Sequence, residues 1–120
     1  MLFRSSFSQS ITVDGAAPAA NRPTLIITGN GKPGINIVAP QSGVSTNNFT
    51  NFQVDKNGLI INNSTVNVVS KTGGTVTVNN NLKTSGPANI IVKKVRGTKS
   101  ILEGNTEVVG TKAQDRKSVV

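Results

Sequence analysis

The sequence predicts an all-β chain, and three observations carry that expectation. Apolar residues come in short runs rich in Val, Ile and Thr, each bounded by Asn, Gly or Ser. No run keeps apolar residues at i, i+3, i+4 and i+7, and Gly recurs too often for helix interiors. Only 4 of the 120 residues are Phe, and Trp, Tyr and Cys are absent, so Val, Ile and Leu must build the core. A chain of this length forms one domain at most and is long enough to bury a stable core.

Residues 1–20 read as a ragged lead with one short strand, Ser10 to Val13, ending in a Pro-Ala segment. The body begins near Arg22 with "RPTLIITGNGKPGINIVAP", two β-branched runs around Gly29-Asn30-Gly31-Lys32-Pro33-Gly34, the composition of a hairpin turn. Next, "NFTNFQVDKNGLIINNST" alternates like a strand, placing Phe49, Asn51 and Gln53 on one face and Thr50, Phe52 and Val54 on the other. Asn57-Gly58 supplies a positive-φ turn, after which the apolar run stops at Asn62-Asn63. "STVNVVS", "GTVTVNNN", "PANIIVKKV" and "NTEVVG" then repeat the theme of a short β-branched run with polar corners.

Such a series fits a sandwich, a small barrel or a stacked β-solenoid. The asparagine clusters Asn62-Asn63 and Asn79-Asn80-Asn81 suit a solenoid. Its rungs lie about 4.8 Å apart, so corner asparagines can pass side-chain hydrogen bonds from rung to rung, and Asn tolerates left-handed corners. As ordinary turn residues they would need no such role.

Catalytic chemistry finds no foothold. With no His and no Cys, triads, most general bases and thiolate zinc sites are excluded. Glu103 and Glu107 would lie roughly 13 Å apart along a strand, beyond the separations glycosidases use, and are expected to face solvent. Gly29, Gly31 and Gly34 satisfy G-x-G-x-x-G, but Pro33 and "INIVA" make the next segment a strand, leaving no helix N-terminus for a pyrophosphate. Lys71-Thr72-Gly73 lacks the companion motifs of penicillin-recognising enzymes. The sequons at Asn48, Asn62 and Asn63 arise easily by chance in an Asn- and Thr-rich chain. No cofactor is implied.

The net charge of +8, from 13 Lys plus Arg against 5 Asp plus Glu, draws the chain toward anionic partners. Nucleic acid is not expected among them, because the only rings are Phe3, Phe7, Phe49 and Phe52 and no basic helix is present. Lys93, Lys94, Arg96 and Lys99 form the densest basic run and read as a solvated face. The start, "MLFRSSFSQSITV", lacks the continuous apolar stretch of a signal peptide, and no segment reaches the length of a membrane-spanning helix.

The order of segments says more than any single motif. N-x-R-P-T, the N-G-x-P turn, "INIVAP", G-V-S-x-N-x-F, F-x-V and G-x-x-x-N-N follow one another from Asn21, and "SGPANIIVKKVRGTKSILEGNTEVVGTKA" continues the series. This order resembles the haemagglutination activity domain, the secretion domain of filamentous haemagglutinin-like and contact-dependent inhibition exoproteins exported by two-partner secretion. The resemblance implies a right-handed parallel β-helix with antiparallel N-terminal capping strands. It implies a non-enzymatic module over 21–114, recognised in the periplasm by the POTRA domains of a partner outer-membrane transporter. The destination would be the medium or the cell surface, and a monomer is expected. Contact with host glycans would come through the full-length protein.

The family's N-P-N-L motif matches Asn79-Asn80-Asn81-Leu82, with Asn80 in place of proline. From about Asp115 the sequence departs from the family, so 115–120 reads as a divergent tail of a truncated module, without the signal sequence. For transporter recognition the reading selects the corner Asn79, Asn81 and Leu82 and a strand edge at Phe49, Phe52 and Val54. Gly31, Asn57, Gly58, Asn62 and Asn63 are assigned to structural turns. Edge pairing of strands is the expected mode of recognition.

Overall fold

The computed structural model describes residues 10–96, 100–102 and 106–119. The strands are β1 (Ser10–Val13), β2 (Thr24–Ile27), β3 (Pro33–Asn36), β4 (Val44–Val54), β5 (Leu59–Asn63), β6 (Val68–Ser70), β7 (Gly74–Val76), β8 (Ile90–Val95), β9 (Ser100–Leu102), β10 (Thr106–Gly110) and β11 (Gln114–Val119). Two 3-10 turns, Ala19–Asn21 and Asn80–Leu82, complete the set, and no α-helix occurs among the described residues. The all-β expectation holds.

Two mixed sheets enclose the main core. One has the order β1-β4-β8-β11, with β9 also paired to β4; the other runs β10-β5-β3-β2. The β4-β8, β8-β11, β4-β9, β3-β5 and β5-β10 pairs are parallel, whereas β1-β4 and β2-β3 are antiparallel. From β3 onward the chain alternates between the sheets: β3, β5 and β10 stack in one, and β4, β8 and β11 in the other. Residues at matching registers therefore form columns, such as Ile35, Ile61 and Val108 in one sheet and Phe49 and Val95 in the other.

These columns make the core of Ile35, Ile37, Phe49, Phe52, Val54, Leu59, Ile61, Leu82, Ala88, Ile91 and Val95. Each large aliphatic or aromatic side chain so buried contributes roughly 1.5–3 kcal/mol. A smaller core of Ile60, Val76 and Val109, flanked by Ile26 and Val68, lies on the opposite side of β5, beneath the antiparallel hairpin β6-β7. Both faces of β5 are thus covered. All five of its residues are buried, which is why "LIINN" does not alternate.

The hairpin expected around Gly31 is present as β2-β3. The Asn57-Gly58 turn is not a hairpin: Gly58 has φ 84, but β4 and β5 belong to different sheets, so the turn is a corner between them. Strict alternation in β4 also fails. The register with β1 shifts between Thr12, opposite Asn51, and Val13, opposite Phe49. This bulge at Thr50 changes the parity of the strand and puts Phe49 and Phe52 on the same interior face, edge to face with centroids 5.0 Å apart.

Charges that read as solvated are tied into the fold. Lys93 is only 4% exposed; its Nζ donates to Asp115 Oδ2 at 2.9 Å and lies 5.2 Å from the Phe52 ring centroid. Residues from Asp115 onward, read as a divergent tail, form most of β11, paired along β8. Arg96 donates from Nε and Nη2 to the buried Asp14 at 3.1 and 2.9 Å, joining the end of β8 to the residue after β1. Of the two carboxylates expected to face solvent, Glu103 lies outside the described residues, as does Lys99 of the basic run. Glu107 is half-buried: it accepts from Ser70 Oγ at 2.8 Å, Lys71 N at 3.0 Å and Thr72 Oγ1 at 3.0 Å, holding the β6-β7 turn against β10.

The hydrogen bond from Arg96 holds the Asp14 carboxyl below its ordinary pKa. Burial pushes Glu107 upward, but the donors of Lys71, Ser70 and Thr72 outweigh it and its pKa is also lowered. For a depressed folded-state pKa the stabilisation is fully present above the ordinary carboxylate value of about 4 and is lost as pH falls through the folded value. Urea midpoints should therefore be level from about pH 7 to 5 and fall below about pH 4. Glu107→Gln should lower the midpoint at pH 7 and make the acid fall shallower.

Gly110 has φ +87, and a Cβ there would meet Asn63 O and Ser64 Cα, both at 2.6 Å. Gly31 has φ +80 with nothing within 4 Å. Gly31→Ala should cost about 1–2 kcal/mol, the left-handed penalty alone. Gly110→Ala, which must also displace backbone, should exceed about 4 kcal/mol in the same urea titration.

Candidate functional site

The corner Asn79–Leu82 is assembled by one local side-chain bond and by side-chain bonds to distant segments of the chain. Asn79 caps the 3-10 turn Asn80–Leu82, with Oδ1 accepting from Asn81 N at 3.0 Å. Its Nδ2 donates to Ile37 O at 3.0 Å and Asn62 O at 2.9 Å, so one carboxamide ties together the segments following β3 and within β5. Asn81 Nδ2 donates to Ile37 O at 3.2 Å. Leu82, fully buried, anchors the turn in the main core.

Asn62 and Asn63 perform the same service. Asn62 Nδ2 donates to Asn36 Oδ1 at 2.8 Å and Thr77 O at 2.7 Å, while Oδ1 accepts from Ser64 N at 3.1 Å. Asn36 is its register neighbour on β3, so this is a side-chain bond from one stacked strand to the next. Asn63 Nδ2 donates to Ala88 O at 3.0 Å and Thr111 O at 2.9 Å, and Oδ1 accepts from Ala88 N at 2.8 Å. None of these asparagines has positive φ, so their use is hydrogen bonding within extended or 3-10 backbone rather than left-handed geometry. Burial also places the Asn62 and Asn63 sequons out of reach of a modifying enzyme in the folded chain.

A fourth buried asparagine escaped the sequence reading. Asn47 Oδ1 accepts from Val38 N at 2.9 Å, its Nδ2 donates to Ser45 Oγ at 3.1 Å, and Ser45 Oγ donates to Val38 O at 2.7 Å. Ser45, Asn47 and Phe49 share one parity on β4, the signal that could have revealed them as an inward row.

Of the residues selected for recognition, Phe49, Phe52, Val54, Asn79 and Leu82 are interior, each at most 1% exposed, whereas Asn81 is at the surface. The segment Phe49 to Val54 is not a sheet edge. It lies between β1 on one side and β8 with β9 on the other. Around the corner, Asn80, Asn81 and Lys83 are exposed. A groove of about 270 Å³ runs between this corner and the first 3-10 turn, lined by Ala19, Arg22, Val38, Pro40, Gln41 and Asn81. The turn residues Gly31 and Asn57 meet elsewhere at the surface, where Lys32 Nζ donates to Asn57 O.

Among the described residues no group of three His, Cys, Asp or Glu could hold a metal ion. Asp14, Asp55, Glu107 and Asp115 each accept hydrogen bonds that shape the fold.

No family model matches the chain. It is 40% identical over 111 residues to the toxin CdiA of Yersinia pestis, covering 91% of this chain. It is 39% identical over 100 residues to the tRNA nuclease CdiA-2 of Burkholderia pseudomallei (strain 1026b), covering 82% of this chain. The toxin CdiA of Escherichia coli is 45% identical over 87 residues, covering 70% of this chain. In all three the match spans 3% of the relative's length. The crystal structure of the filamentous haemagglutinin secretion domain superposes with a TM-score of 0.71 at 31% identity, covering 91% of this chain and 35% of that one. In sequence and fold the chain belongs with the haemagglutination activity, or two-partner secretion, domains of filamentous haemagglutinin-like and contact-dependent inhibition exoproteins.

Proposed function

We propose that this chain is a secretion-recognition module, selected by the POTRA domains of a partner outer-membrane transporter on its way to the medium or the cell surface. The observation that carries this reading is the likeness to a secretion domain over 91% of the chain. We read the fold as a right-handed parallel β-helix of three coils, β3-β4, β5-β8 and β10-β11, with β1 and β2 as antiparallel caps. The alternation of the chain between two parallel stacks supports the coils, and the hand follows the family.

The module is not an enzyme. The nuclease activity in the relatives' names is theirs, and the matched segment is 3% of their length. In this reading Asn79 and Leu82 act in recognition by holding the corner in shape, while Asn80, Asn81 and Lys83 supply its surface. Attaching a signal sequence and co-expressing the transporter should yield release into the medium that depends on the transporter. Retention of a folded, soluble chain in the periplasm would overturn the proposal.

The charge of +8 favours a second reading, adhesion to anionic glycans. Lys94 and Arg116, diagonal to each other on the outward side of the β8-β11 pair, are exposed cations it would use. Glycan binding should weaken steeply with added salt, and strand pairing with a transporter should not. A third reading, an inactive remnant, requires that the chain fail to unfold cooperatively.

Asn80 stands where the family has proline, at the first position of a 3-10 turn, and Asn79 before it is extended with ψ 104. An extended residue followed by the first position of the turn suits proline at position 80. Asn80→Pro should stabilise the chain by about 0.4–1 kcal/mol in urea titration, chiefly by restricting the unfolded state.

A further inference from the structure

Among the described residues β1, β11, β10 and β2 end the two larger sheets, and of these β2 alone carries large, exposed apolar side chains. It ends the order β10-β5-β3-β2, and no described strand lies beyond it. Thr28 N donates to Lys32 O at 2.9 Å, which makes Thr28 and Lys32 a hydrogen-bonded antiparallel pair. By the alternation of such ladders, Ile27/Pro33 and Leu25/Ile35 are non-bonded pairs, so the main-chain groups of Leu25 and Ile27 point away from β3.

The same two residues carry much of the exposed apolar surface. Leu25 is 47% and Ile27 72% exposed, and an apolar groove of about 190 Å³ beside them is lined by Ile11, Leu25, Ile26, Ile27, Pro33 and Gly34. Natural sheet edges are usually protected by a charge, a proline or a bulge within the strand, and "TLII" contains none of these. Cations lie close to both ends, Arg22 before β2 and Lys32 after it, and neither has a carboxylate partner among the described residues.

We propose that the edge of β2 is where the partner transporter docks, by adding a strand of its periplasmic region that hydrogen-bonds to Leu25 and Ile27. That strand carries apolar side chains on the face toward Leu25 and Ile27 and carboxylates near its ends, facing Arg22 and Lys32. This inference rests on the transporter reading above and moves the contact from the Phe49–Val54 segment of β4, which has strands on both sides, to β2.

The test measures binding of the isolated POTRA region of the transporter to the whole chain at about 150 mM salt, where long-range charge attraction is screened. Ile27→Pro removes the outward N–H without touching the β2-β3 ladder, and Ile27→Lys adds a charge at an exposed site. Each should keep the wild-type urea midpoint and weaken binding more than about tenfold. Val69→Lys, at a position 81% exposed on the β6-β7 hairpin, should bind like wild type. Equal binding by both Ile27 variants would overturn the β2 assignment while leaving transporter recognition intact. Loss with Ile27→Lys alone would overturn main-chain pairing. Absence of binding by the wild type would overturn both proposals. A concentration-dependent dimer abolished by Ile27→Pro would assign the edge to a second copy instead.

Discussion

Four buried carboxamides, those of Asn47, Asn62, Asn63 and Asn79, close the hydrogen bonds that stacked strands cannot close for themselves. Where a strand leaves its ladder at a corner, its N–H and C=O groups lose their neighbours while still inside the protein. Leaving such a group unmade costs roughly 1–3 kcal/mol, far more than the net value of a typical hydrogen bond. A carboxamide is suited to the task because it offers two donors and an acceptor without charge. Aspartate would bring a buried charge and no donor. Asn63, bonded to Ala88 and Thr111, shows the result: one side chain of β5 fixes the approach to β8 and the exit from β10.

Charge serves the same architecture. The Asp14–Arg96 and Lys93–Asp115 pairs fasten the β1-β4-β8-β11 sheet, the first across the middle of β4 and the second between β8 and β11. Lys93 is the costlier arrangement, since a lysine with 5% side-chain exposure needs its carboxylate to be tolerated. With Asp14 and Asp115 committed in this way, the cations left at the surface set the charge of the module's exterior.

The β-branched runs of this sequence made the strands legible, and the turn chemistry of Gly29 to Gly34 made the β2-β3 hairpin legible. Alternation in β4 misled because a bulge at Thr50 is a ladder property, invisible without the partner strand. Asn57-Gly58 was legible as a turn, but local turn preference does not say which sheet the next strand joins. The basic run concealed Lys93 because its partner, Asp115, lies on a strand read as a tail. Asn62 and Asn63 read as turn residues, but their burial follows from the coverage of both faces of β5, which only the packed hairpin reveals.

If the carboxamides couple the stacked strands, their removal must be felt beyond the point of contact. Hydrogen–deuterium exchange of Asn63→Ala measures this most directly. The account predicts faster exchange not only at Ala88 and Thr111 but along β8 and β10 together, because both are fastened by that one side chain. Faster exchange confined to residues 62–64, with β8 and β10 as protected as in the wild type, would contradict it.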